Sequence, residues 1–282
     1  VKQNTVVLHM GAHKTASSAL QATLEHAGRS LSRIGIETMP RSILTQTAVH
    51  AQYPELRNII TSVNAPHLIL SHEVILGWPF GPLGEMRAGK PPDSLYPEAG
   101  PRLDFLARVC EGMDARVIYY IRDQDTFLQS FYIQLVQGGA TFSFDEWLST
   151  IDLSRLSWVK VIDQIRTRFP VHVKRYETEF AHSQCDAFKR FLAAAAPQCA
   201  DEKLDVAPFE KPTNRSLNKT GLVLMIEANK LGLEASQRRA LRRSLQTHLS
   251  NLDGARPELL SEKQLEILAA YRPENEALAQ AA

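Results

Sequence analysis

Apolar positions along this chain follow two rhythms. Short runs with few polar interruptions, the signature of strands buried on both faces of a parallel sheet, recur at TVVLH (5–9), HLILS (67–71), RVIYYI (116–121) and VHVKRY (171–176), with a weaker run over 34–39. Between them apolar residues fall at helical spacing: Leu20, Leu24 and Ala27 in a helix opening at Ser17, and further patterns over 126–137, 143–150 and 157–169. Ser143 and Glu146 have capping-box spacing and set one helix start. From about Leu217 the pattern is helical to the end. Strands alternating with helices predict a single α/β domain over 1–282, a parallel central sheet flanked by helices, with a helical C-terminal part over 217–282.

Two stretches stand apart. Over 77–101 glycine and proline recur so often that the sequence predicts a long loop without helix or sheet. It follows the 67–71 strand, whose carboxyl end borders the ligand crevice of an open parallel sheet, so the loop reads either as a substrate lid or as a disordered insertion. The basic stretch over 237–249 reads as a solvated helix face packed through its leucines, or as a surface for an acidic partner. Nothing in the C-terminal pattern assigns those helices to acceptor choice or to a dimer contact.

Composition narrows the classes. With 44% hydrophobic and 22% charged residues, 282 residues can bury a sizeable core. A net charge of +1, from 32 basic and 31 acidic residues, gives no long-range field for nucleic acid or an anionic membrane, so any anion site is local. No run approaches the roughly 18 apolar residues of a membrane span. Cys110, Cys185 and Cys199 are too few and too scattered for a disulfide framework or a zinc site, which points to a reducing, cytoplasmic setting and no metal.

The first candidate chemistry lies in VVLHMGAHKTASSALQATL, where a strand enters a tight turn and then a helix. The turn holds Gly11, His13, Lys14, Thr15, Ala16, Ser17 and Ser18. Unpaired first-turn amides, the positive end of the helix dipole, hydroxyls and an ammonium together suit an oxyanion. The spacing is not that of the Walker A loop, which demotes a kinase or NTPase. The second candidate follows the 116–121 strand: Arg122, then Ser130 eight residues on, then Tyr132, in RDQDTFLQSFY. Arginine offers a planar fork to a phosphate, and a serine two helical turns along can donate to the same group.

Together these motifs resemble the sulfotransferases that use 3′-phosphoadenosine 5′-phosphosulfate (PAPS), in particular their bacterial and carbohydrate branch. That family carries Pro-Lys-Thr/Ser-Gly-Thr-Thr in the 5′-phosphosulfate turn and an arginine with a Ser-x-Tyr eight residues on at the 3′-phosphate site. Here His13 stands for the proline, Ala16 for the glycine, Ser17 and Ser18 for the threonines, and Gln124 for a proline after Arg122-Asp123. Ala16 fits only if its φ is negative. The resemblance implies a P-loop-like sulfotransferase fold and sulfuryl transfer from PAPS to a hydroxyl or amine, with adenosine 3′,5′-bisphosphate (PAP) as product. The implied acceptor is a small molecule or a glycan, without metal or nucleic acid. A non-catalytic nucleotide-binding protein on the same fold is the alternative.

Lys14 is the expected catalytic group, placed to stabilise the leaving phosphate. The base is expected at LILSHEV, from Glu73 or His72, and the resemblance to the carbohydrate branch favours Glu73. Without a role in the chemistry, Glu73 reads as a helix-start carboxylate or an ion-pair partner. Asn214, Arg215 and Ser216, in a polar turn ahead of the C-terminal helices, are implied to close over the nucleotide, and Asn214 or Ser216 reads equally as a helix N-cap. His9, inside an apolar strand, reads as a hydrogen-bonded core histidine, whereas His13 in the turn is placed to touch the sulfuryl group or acceptor.

Overall fold

The structure, a computed structural model, describes residues 5–45, 53–81, 95–199, 216–249 and 257–281. Five strands, β1 (Thr5–Gly11), β2 (Ile36–Thr38), β3 (His67–Ser71), β4 (Asp114–Ile121) and β5 (Val171–Arg175), pair all-parallel in the order β2-β3-β1-β4-β5. The central strand β1 is buried throughout its length, which is why its sequence shows no polar alternation. It outruns its apolar run because Met10 and Gly11 still pair with Tyr119 and Tyr120 of β4.

Helices α1 (Ser17–His26), α2 (Gly28–Arg33), α3 (Arg41–Leu44), α4 (Tyr53–Ser62), α5 (Ala99–Val109), α6 (Gln124–Gln137), α7 (Phe144–Leu148), α8 (Val159–Arg166), α9 (Tyr176–Glu179) and α10 (Gln184–Ala195) accompany the sheet. The C-terminal part adds α11 (Lys219–Lys230), α12 (Ala235–His248), α13 (Glu262–Ala269) and α14 (Arg272–Gln280). On one face of the sheet Val6, Leu8, Leu70, Val117, Tyr119 and Ile121 pack with Leu106 of α5, Phe127 and Phe131 of α6 and Ile162 of α8. On the other, Val7, Ile69, Ile118 and Tyr120 pack with Leu20 and Leu24 of α1, Leu31 of α2 and Phe188 and Phe191 of α10. The neighbouring strands β1 and β4 therefore send their following helices to opposite faces, which opens a crevice at their carboxyl ends. Among the described residues no helix is long and apolar enough to cross a membrane.

Three boundaries differ from the sequence reading. Helix α5 begins at Ala99, so Pro101 sits in its first turn, where a missing N–H costs nothing, and the loop ends earlier than 101; residues 82–94 lie outside the described residues. Helix α6 begins at Gln124, two residues ahead of the apolar pattern, because the Gln124 amide donates to the Leu156 carbonyl (3.1 Å) and pairs with Asn275. The cap of α11 is Asn218, whose Oδ1 accepts from the Gly221 amide at 2.8 Å, and not Asn214 or Ser216. The Ser143–Glu146 capping box at α7 is present as expected. Helix α12 packs through buried Leu245 and half-buried Leu241 and Leu249, with Arg239 and Arg243 exposed.

Helix α14 is bound to the foot of the crevice. Asn275 is fully buried and donates to Asp123 Oδ1 (3.1 Å) and Gln124 Oε1 (2.9 Å), while Arg175 closes on Asp123 at 2.7 Å.

Candidate functional site

The turn after β1 is folded back on itself. A Cβ on Gly11 would stand 2.9 Å from Thr15 Oγ1 and 3.2 Å from the Tyr120 carbonyl oxygen, so only glycine fits. The Ala12 amide donates to Tyr120 O (2.8 Å) and Thr15 Oγ1 donates to Ala12 O (2.7 Å). This closure forces Lys14 to φ 70° and Ala16 to φ 59°, both left-handed. The negative φ expected at Ala16 is thus overturned: alanine adopts the glycine conformation at a cost of roughly 1–2 kcal/mol. Ala16→Gly is expected to raise the thermal midpoint by roughly 2–4 °C, read by calorimetry, because the relieved strain outweighs the entropy glycine adds to the unfolded chain. A lower midpoint would show that the alanine sits without strain.

No side chain caps α1. Its uncapped first turn follows a backbone whose left-handed residues curl amides toward one side, a geometry that binds anions. Ser17 Oγ, in that first turn, is buried and has no hydrogen-bond partner. An unpartnered buried hydroxyl costs about 1–3 kcal/mol, and an oxyanion would satisfy it. Ser18 and Lys14 are half-buried beside it.

Arg122 joins this turn to the end of β4. Its side chain is 4% exposed, and Nη1 donates to the Lys14 carbonyl at 2.5 Å while Nε donates to Thr126 Oγ1 at 2.9 Å. The guanidinium lies over the Tyr176 ring, 4.6 Å from its centroid. Among the described residues the carboxylate facing Arg122 is Glu177, at 4.0 Å, while Asp123 is held by Arg175. Burial pushes the Glu177 carboxyl above its ordinary range, against the hydrogen bond it accepts from the Asp123 backbone N–H. Ser130, half-buried, lies four residues beyond Thr126 and so on the same face of α6, two turns from Arg122. The two sequence motifs therefore meet at one crevice.

His13 is fully buried. Its backbone N–H donates to the Tyr96 hydroxyl at 2.9 Å, and its Nδ1 is 2.9 Å from the same oxygen. The ring lies among Trp78, Tyr96 and Phe131, with Nε2 unpartnered. Burial, assisted by Lys14 and His72, lowers its pKa to about 3, so it is a neutral imidazole at ordinary pH. Tyr96 itself has φ 53°; Lys14, Ala16 and Tyr96 are the three non-glycine residues with positive φ among the described residues. Backbone strain is concentrated at this one turn and the side chain that holds it.

The pair at the end of β3 divides by hydrogen bonding. Thr45 Oγ1 donates to the Arg41 carbonyl (2.9 Å), so it must accept from His72 Nε2–H (3.0 Å), and His72 Nδ1 accepts from the Val74 amide (3.1 Å). Both ring nitrogens are committed, and burial lowers the His72 pKa to about 4. Glu73 is an ion-pair partner, as its bland reading has it, but a loose one: Oε1 stands 3.4 Å from Arg41 Nη2, and its side chain is 17% exposed. His9 is the core histidine expected, with Nδ1 2.6 Å from Ser71 Oγ and its pKa lowered by burial to about 3.

Ser216 is exposed just ahead of α11, and Asn214 and Arg215 lie outside the described residues. Tyr96, Thr126, Tyr176 and Glu177 escaped the sequence reading. Thr126 had a signal, four residues after Arg122 at helical spacing, whereas Tyr96 sits in a glycine- and proline-rich stretch with no pattern to mark it. Among the described residues no cluster of three or more His, Cys, Asp or Glu side chains could share a metal ion. No family model matches the chain, and a search of the curated proteins finds no match.

Proposed function

We propose that the chain is a sulfotransferase that moves the sulfuryl group of PAPS to a hydroxyl or amine of a small-molecule or glycan acceptor. The observation that carries this reading is the hydrogen bond from Arg122 to the Lys14 carbonyl, which unites a strained, uncapped anion-binding turn with a buried arginine at the switch point of the sheet. Ser17 Oγ is an orphan that a 5′-phosphosulfate oxygen satisfies, and Arg122 with Ser130 holds the 3′-phosphate. Three free cysteines support a reducing, cytoplasmic setting.

The chemistry is an in-line displacement in which positioning and charge stabilisation do most of the catalysis. The acceptor oxygen bonds to sulfur as the bridging S–O bond breaks. The bridging electron pair departs with PAP, where the Lys14 ammonium meets the developing charge. The acceptor proton passes to Glu73, since His72 has no free lone pair. One observation favours a second reading, a nucleotide-binding protein without transfer: Arg41 already stands on Glu73.

Calorimetric titration with PAP tests the nucleotide site, and wild type is expected to bind while Arg122→Ala loses at least tenfold in affinity. Absence of binding to wild type, or equal binding by the variant, overturns the assignment. Labelled PAPS with a glycan and phenol panel then separates enzyme from binder.

A further inference from the structure

Glu177 occupies the ground at the start of α6 that an oxyanion seeks. Its Oε1 accepts from the backbone N–H of Asp123, the N-cap residue of α6 (3.1 Å), and lies 3.2 Å from Thr126 Oγ1 and 4.0 Å from Arg122 Nε. A helix N-terminus and a guanidinium are the partners a phosphate takes, so this carboxylate already holds part of what a nucleotide needs. The Thr126 hydroxyl is also 3.1 Å from the Asp123 carbonyl, and it accepts from Arg122 Nε at 2.9 Å. It has a single proton and faces two acceptors, the Asp123 carbonyl and Glu177 Oε1, so with Glu177 ionised one of them goes without it. With Glu177 protonated the set is matched: its O–H donates to Thr126 Oγ1, Thr126 donates to the Asp123 carbonyl, and Oε1 still accepts from the Asp123 N–H.

The surrounding charges leave little to offset a second anion. Arg175 of β5 stands 3.8 Å from Glu177 Oε2, but its close contacts go to Asp123 (2.7 and 3.1 Å) and to Glu276 of α14 (3.1 Å). Arg272 of α14 faces Asp123 at 3.9 Å and Asp125 at 3.6 Å. A 3′-phosphate on Arg122 brings about two further negative charges to the guanidinium that Glu177 faces. The Glu177 side chain is 27% exposed, so solvent can deliver a proton to it, and burial already raises its pKa against the pull of the Asp123 N–H.

We propose that Glu177 takes up a proton from solvent as the 3′-phosphate binds Arg122, and that the nucleotide site is complete only with this carboxyl neutral. This rests on the sulfotransferase reading and deepens it, adding a residue to the 3′-phosphate site. One proton moves from water to Glu177 Oε1, and no bond to the nucleotide forms or breaks. A carboxyl that is harder to ionise in the complex than without nucleotide strengthens binding at low pH, and that strength is lost as pH rises through the value in the complex. The phosphate's own ionisation, with a pKa of about 6, has the opposite sign, because contact with Arg122 favours its dianion and releases a proton.

Calorimetric titration of PAP in buffers of differing ionisation enthalpy counts the protons. At pH 7 wild type is expected to take up between about 0.5 and about 1 proton per PAP, with affinity falling roughly three- to tenfold per pH unit between about pH 6.5 and about pH 8. Glu177→Gln, whose amide accepts from Asp123 and donates to Thr126 as the protonated acid does, is expected to bind PAP without proton uptake and about tenfold more tightly at pH 8. Zero or negative uptake by wild type, or the same uptake by Glu177→Gln, overturns the proposal while the nucleotide site stands. The wild-type count needs no variant, so it decides even if Glu177→Gln folds poorly. Absent PAP binding by wild type overturns the parent reading, and this one with it.

Discussion

Lys14→Ala is expected to slow sulfuryl transfer by roughly 10²–10³, the loss typical of one preorganised donor to a developing oxyanion. PAP affinity is expected to change much less, because in the proposed transfer the ammonium meets charge that develops mainly as the bridging bond breaks. The variant is informative because alanine at φ 70° bears the same backbone strain as lysine, and the carbonyl that Arg122 holds is retained. The turn therefore keeps its shape while the charge is removed. Lys14→Gly, which relieves the strain and also lacks the ammonium, should be as slow; a faster glycine variant would assign the defect to the backbone. Transfer by Lys14→Ala at the wild-type rate, measured with labelled PAPS, would remove Lys14 from the chemistry.

The protein is also expected to unfold cooperatively in mild acid, between about pH 6 and pH 4. His9, His13 and His72 are buried neutral, with pKa values lowered to about 3, about 3 and about 4 from the ordinary 6.5. Above the ordinary value neither state is protonated and these residues cost nothing. Below it the unfolded chain takes up protons that the folded one refuses, so stability falls until pH reaches the folded values. At about pH 4.5 each has forgone close to two units, at about 1.36 kcal/mol per unit, or roughly 8 kcal/mol for the three. Total stability is typically about 5–15 kcal/mol. His67 and His172, lowered chiefly by burial and then by Arg116, act in the same direction. Circular dichroism against pH reads the transition, and a native spectrum persisting to about pH 3 would show that these imidazoles are protonated in the fold.

How much of this was legible depended on whether the signal was local. The strands were, since a buried parallel strand is an apolar run whatever its neighbours; β3 begins and ends where HLILS does. The α7 start was too, because a capping box is written within four residues. The conformation of Ala16 was not, being imposed by the Thr15 hydroxyl and by an arginine more than a hundred residues away. The different bonding of His72 and Glu73 could not be read from an adjacent pair of letters; the Thr45 hydroxyl, which donates to the Arg41 carbonyl, fixes the imidazole tautomer. Pro101 misled because proline reads as a helix breaker without knowledge that it stands in a first turn.

The clasp between Asn275 and the Asp123–Gln124 pair spans 151 residues of sequence from Gln124. At a synthesis rate of about 5–20 residues per second, that separation is roughly 8–30 s of translation. For that interval the strand end that bears Arg122 has emerged without the helix that backs it, and Asp123 and Gln124 have only Arg175 and the Leu156 carbonyl to engage them. The crevice can be completed only once α14 has emerged, nearly a hundred residues after the last strand of the sheet it rests on.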